Sequence, residues 1–119
     1  MNRLQHFLRA KTQFNLHSPF VYGLYTEVLF SRCHGRGRGF KDVVWRIEHH
    51  YGVAAERREG SASIHTPEAD FLVLDHPHRD ESRWQSLIDE PRYQVTIDLF
   101  TVGIAVVNPH LSKQHFVLR

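Results

Sequence analysis

The sequence predicts an α/β protein of three layers, with helices packed on a small mixed sheet. Three observations carry that reading. Apolar residues recur at helical spacing in four segments, Phe71-Leu72-Val73-Leu74 forms a continuous apolar run, and residues 95–107 hold two apolar stretches about a turn signal.

Leu4, Phe7 and Leu8 stand at i, i+3 and i+4, which predicts a short amphipathic helix ending near Lys11. Ser18 and Pro19 then combine a preferred N-cap with a residue whose missing N–H is not needed at the first helical position. A second helix follows, with Phe20, Val21, Leu24, Tyr25, Val28 and Leu29 on its apolar face. Three alternating glycines, Gly35, Gly37 and Gly39, make residues 31–39 a mobile basic loop. Phe40, Val43, Val44, Ile47 and Tyr51 trace a third helix, which Gly52 ends where a left-handed residue is wanted. Gly60 and Ser61 separate residues 54–59 from 62–66 and predict a hairpin, with Arg57 and Arg58 pointing to an edge position.

The run Phe71–Leu74 closed by Asp75 predicts a parallel strand buried on both faces, whose polar end is where open α/β sheets place ligands. Trp84, Leu87 and Ile88 define a helix over residues 79–89, stopped by Pro91. Residues 95–100 and 104–107 form a hairpin about Thr101-Val102-Gly103, and residues 115–118 add a last strand.

A chain of 119 residues fits one domain, residues 1–119, and falls short of a complete doubly wound sheet, since each βαβ unit takes about 30 residues. Its composition, 41% hydrophobic and 24% charged, excludes disorder and fibrous repeats. A lone cysteine, Cys33, the lack of an apolar leader in MNRLQHFLRAK and the lack of a membrane-length apolar run predict a cytoplasmic protein. The net charge of +2 hides an asymmetry: residues 1–58 carry ten Lys/Arg against four acids, and the remainder five against nine. Attraction between the two halves, or between two copies, is as economical a meaning as an anionic partner.

Two segments carry a family resemblance. Asn15-Leu16-His17-Ser18-Pro19-Phe20-Val21-Tyr22 resembles the H-G-x-H-S-P-F-V helix start of a group of bacterial class I S-adenosylmethionine-dependent methyltransferases. Toward the C-terminus, Asp75-His76-Pro77-His78 stands where that family has D-D-I-H at the end of its fifth strand. Trp84 falls in the helix that follows, residues 96–104 resemble the family hairpin, and residues 112–119 are similar to its closing A-K-E-H-F-x-x-R.

The middle departs from the family. Glu56 corresponds to the acidic residue of the cofactor motif E/D-x-G-x-x-x-G and Gly60 to its last glycine, while Arg57 and Arg58 put two long cations where close backbone approach is needed. Residues 61–70 leave no place for the strands that complete a cofactor-binding half. The resemblance therefore implies a reduced Rossmann-like domain: N-terminal helices over residues 1–30, and an α/β core over 40–119 with a small mixed sheet ending in an antiparallel hairpin. The function it implies is a non-catalytic interaction module with no cofactor, forming a homodimer through an uncovered sheet edge. A methyltransferase completed by a second subunit, with S-adenosylmethionine near Glu56, Gly60 and Asp75, is the alternative. A nucleic-acid-binding module is the third reading.

Several other residues have chemistry to weigh. Asp75, His76 and His78 are the residue types that bind a divalent metal or act as acid and base, although solvated or capping groups at a strand end are the plainer reading. His49 and His50 suit the C-terminal end of a helix dipole. His17 and Ser18 are adjacent and do not make a base and nucleophile. Asp98, if it faces inward, needs a partner, and an arginine from the first helices fits. Arg32, Arg36, Arg38 and Lys41 are the phosphate-contact candidates of the basic loop, which otherwise reads as a solvated linker. Cys33 in that loop is set for reaction with oxidants, with no resolving thiol nearby.

Overall fold

The computed structural model describes residues 19–30 and 37–118. The predicted first helix, the Ser18 cap, His17, Cys33, Arg32 and Arg36 lie outside the described residues.

Within the described residues, helix α1 (Pro19–Gly23) continues as a π-helical stretch, Leu24–Leu29. The sequence predicts an uninterrupted α-helix. Within the π-helical stretch the Thr26 hydroxyl donates to the Tyr22 carbonyl at 2.8 Å, the acceptor that an α-helix assigns to the Thr26 N–H. Phe30 N–H then reaches back five residues to the Tyr25 carbonyl. Helix α2 (Phe40–Tyr51) ends at Gly52, whose φ of 68° is the left-handed cap the sequence predicts.

Six strands follow: β1 (Glu56–Arg58), β2 (Ser61–His65), β3 (Asp70–Asp75), β4 (Val95–Asp98), β5 (Val102–Val107) and β6 (Gln114–Val117). Their order across the sheet is β1-β2-β3-β5-β4-β6. Among the described residues, only β4 and β6 pair in parallel. The predicted hairpin at Gly60 is present, with Gly60 at φ 73° and β1 at the edge. Strand β3 corrects the expectation of a parallel strand, since both neighbours run antiparallel to it. An apolar run reports burial on two faces and carries no information about strand direction; here helices on both faces supply the burial.

The β4–β5 turn also differs from the prediction. It is made by Leu99-Phe100-Thr101, with Phe100 in the left-handed region at φ 70°, and Val102 and Gly103 belong to β5. A 3-10 turn, Pro77–Arg79, precedes helix α3 (Glu81–Asp89), so α3 begins two residues later than predicted. Asp80 caps it by accepting from Arg83 N–H at 3.1 Å.

Alternation along the strands divides the core. Val73, Ile64, Val95, Ile97, Ile104 and Phe116 face α1 and α2, where Val21, Val28, Val43 and Ile47 are fully buried. Leu74, Ala105 and Val117 face the opposite side, where Trp84 of α3 packs. Gly103 is what lets Trp84 lie there: a Cβ at that position would stand 2.9 Å from Cη2 and Cζ3 of the indole. Buried Arg46 of α2 holds the chain crossing to this helix, donating to the Gly37 carbonyl at 2.9 Å and the Val28 carbonyl at 3.1 Å. Among the described residues, no helix is long and apolar enough to cross a membrane.

Candidate functional site

Strands β3 and β4 both run antiparallel to β5, so their C-terminal ends meet at one edge of the sheet. Asp75 ends β3 and Asp98 ends β4. Between β3 and α3 the chain reverses through His76, which sits at φ 49°, and its N–H donates to the Thr101 carbonyl at 2.8 Å. That left-handed residue followed by Pro77 turns His78 back toward the sheet.

His78 is bracketed by two carboxylates. Its Nε2 lies 2.6 Å from Asp98 Oδ2 and its Nδ1 2.8 Å from Glu81 Oε1. Both ring nitrogens are thus within hydrogen-bond distance of a carboxylate oxygen. The side chains of His78 and Asp98 are 11% and 2% exposed, and Phe100 stacks on the imidazole at 5.7 Å. Asp98 Oδ1 accepts the Phe100 N–H at 2.8 Å, which fixes the left-handed turn residue. With both nitrogens engaged, the ring serves as a hydrogen-bonded clamp joining the entry of α3 to the end of β4.

Asp98 is thus paired, as its burial requires, and its described side-chain partner is His78. The arginine expected from the first helices corresponds to Arg3 or Arg9, outside the described residues. Asp75 and His76 pair with each other at 2.6 Å, apart from the clamp. Among the described residues no group of three or more His, Cys, Asp or Glu is placed to hold a metal ion.

The three cofactor candidates separate into two places. Gly60 and Asp75 are neighbours, with Asp75 N–H donating to the Gly60 carbonyl at 3.0 Å. Both line a cavity of about 150 Å³ beside α3, together with Leu74, His76, Pro77, Arg79, Asp80, Arg83 and Trp84. Glu56 is elsewhere, exposed on β1 and 3.6 Å from Arg58 Nη2. Its register runs through Ser63 to Leu72, two strands across and three residues short of Asp75. At strand spacings of about 4.8 Å and a rise of about 3.3 Å per residue, the two backbones are about 14 Å apart. Arg57 is held on the opposite face by Glu48 of α2.

Of the basic-loop candidates, Arg38 lies 4.1 Å over the Phe30 ring and Lys41 is exposed in the first turn of α2. His49 and His50 lie in the last turn of α2, where His49 stacks on Trp45 at 4.6 Å and His50 meets Tyr51 edge-on. The Tyr51 phenol donates to Glu68 at 3.2 Å, and burial followed by the Glu68 charge raises its pKa well above the ordinary range.

Sequence reasoning missed Glu81, Phe100 and Trp84 as partners in this region. The spacing His78-x-x-Glu81 at the start of a helix was the one local signal for any of them. No family model, curated protein or solved structure matches the chain.

Proposed function

We propose that the chain is a reduced, non-catalytic relative of the class I S-adenosylmethionine-dependent methyltransferases, a Rossmann-like remnant serving in the cytoplasm as an interaction module that pairs with a second copy of itself. The motif resemblance at both ends supports the kinship. Strand β3, helix α3 and the β4–β5 hairpin also follow one another in the order the resemblance implies.

One observation carries the loss of catalysis. Where the cofactor strand and its glycine-rich turn would fall, the chain forms the antiparallel hairpin β1–β2, which leaves Glu56 about 14 Å from Asp75 by strand geometry. The residues do not fit S-adenosylmethionine: its acidic and glycine contacts do not converge, and Arg57 and Arg58 would face a sulfonium cation.

Self-association has a surface in β1, which among the described residues pairs on one side only and is exposed along its length. Charged edges usually discourage pairing. This one is self-complementary, because antiparallel pairing about Arg57 sets Glu56 of each copy against Arg58 of the other. Calorimetric titration with S-adenosylmethionine and with its demethylated product, run beside light scattering, tests the proposal. The expected result is no heat from either compound and twice the chain mass. Saturable heat would replace this reading with that of a methyltransferase completed between subunits.

A further inference from the structure

The outer edge of β1 is not uniform. Asp75 N–H donates to the Gly60 carbonyl and Thr66 N–H to the Ala69 carbonyl, so residues 60 and 66, which flank β2, bond on the β3 side. Alternation then gives Ser61 and Ser63 to the other side, where they bond to Arg58 and Glu56. The backbone groups left pointing out of the edge are those of Arg57 and, one alternation earlier, of Ala55. Among the described residues nothing meets the outward N–H and C=O of Arg57. The Ala55 N–H is taken: Glu48 Oε2 accepts it at 2.8 Å, and the other oxygen of the same carboxylate holds the Arg57 guanidinium. Glu48 is itself anchored, 19% exposed in the last turn of α2, with its carbonyl accepting the N–H groups of Gly52 and Val53.

We infer that Glu48 gates this edge: by occupying the Ala55 N–H it confines pairing with a second copy to one hydrogen-bonded ring, in which the Arg57 residues of the two copies exchange N–H···O=C bonds. The inference rests on the self-pairing proposed above and adds what limits it. In an antiparallel pair centred on Arg57, the next rings out would join Ala55 of each copy to Glu59 of the other. Each needs the Ala55 N–H as donor to the Glu59 carbonyl, and a carboxylate already stands in that place. A second copy is the occupant the edge fits, since Glu56 and Arg58 oppose each other across the dyad and Glu48 neutralises each Arg57. One residue thus supports the centre of the interface and shortens it. A pair held by a single ring dissociates readily, whereas an edge open along its length would bind more tightly and accept strands other than its own copy.

Deleting Glu48 alone would both free Ala55 and leave two arginines face to face, so the test uses an Arg57→Thr background, whose uncharged side chain suits a strand. Sedimentation of the full chain at graded concentrations gives the dissociation constant of each pair. Glu48→Ala in that background, with unchanged far-ultraviolet circular dichroism, should tighten pairing about tenfold over Arg57→Thr alone, because two backbone hydrogen bonds are added. Glu48→Gln keeps an oxygen for the Ala55 N–H and should leave the constant of Arg57→Thr unchanged. Amide exchange gives an independent readout: in the wild type Ala55 should be shielded at every concentration and Arg57 only where chains pair, whereas with Glu48→Ala the shielding of Ala55 should also rise and fall with pairing. If the wild type pairs and Glu48→Ala leaves the constant of Arg57→Thr unaltered or weakens it, the gate is overturned and self-pairing stands. A wild type that stays a single chain overturns the self-pairing reading; the gate then stands if Glu48→Ala with Arg57→Thr pairs, and falls as well if it does not.

Discussion

His78 Nε2 lies 2.6 Å from Asp98 Oδ2 across 20 residues of sequence, and that contact fastens the start of α3 to the end of β4. Glu81 holds the other ring nitrogen, so the imidazole ring sits between two carboxylates with Phe100 against its face. The turn that follows β4 depends on the same acid, because Asp98 also accepts the N–H of left-handed Phe100.

Removing the ring alone should therefore be costly. His78→Leu takes the imidazole partner from the Asp98 carboxylate, which is 2% exposed, and should destabilise the fold by about 3 kcal/mol. Replacing both residues, His78→Leu with Asp98→Leu, should cost less than the sum of the single changes. Urea midpoints for the four proteins of this cycle check it; strict additivity would mean that the two groups do not interact.

The second prediction concerns the seat of Trp84. Gly103→Ala places a methyl group 2.9 Å from two indole carbons and 3.1 Å from Pro77 Cβ, in a wall formed by the sheet and the entry of α3. Overpacking of that kind should cost about 1–3 kcal/mol. Trp84→Leu combined with Gly103→Ala should recover part of the cost that Gly103→Ala alone incurs in the wild-type background. Thermal unfolding supplies the energies, and near-ultraviolet circular dichroism reports whether the indole moves.

Alkaline pH tests the Tyr51 contact. In the folded state burial and the Glu68 charge hold the phenol proton beyond its ordinary pKa of 10.0, whereas the unfolded chain releases it near that value. The unfolded state then binds fewer protons above pH 10, and stability falls as pH rises from there. Tyr51→Phe removes this term, so between about pH 9 and pH 11 its urea midpoint should decline less steeply than that of the wild type. Equal slopes would show that the phenol titrates alike in both states.

How much of this was legible in the sequence depends on range. Gly52 and Gly60 announced the end of α2 and the β1–β2 turn because both use backbone conformations that favour glycine locally. Gly103 looks the same in the sequence but serves a different need, since its missing Cβ makes room for a side chain 19 residues away. The Phe71–Leu74 run gave burial correctly and direction wrongly, because pairing direction is decided by β2 and β5 and not by the apolar pattern. His78 was visible as a chemical residue. Its partner Asp98 required the fold, which joins two residues 20 apart in sequence.

The exposed edge at β1 supports the last prediction. Glu56 and Arg58 lie on one face of the strand, while Arg57 points to the other and is held by Glu48 of its own chain. In an antiparallel pairing of two copies about Arg57, the like-charged central residues are thus each neutralised from within, and the outer pairs are Glu56 against Arg58 twice over. Arg58→Glu turns both outer pairs repulsive and should reduce the particle from two chains to one in light scattering. The exchange Glu56→Arg with Arg58→Glu restores opposite charges at both positions and should restore the pair of chains. A mass unaffected by the single reversal would place the interface elsewhere, and a monomeric wild type would remove self-pairing altogether.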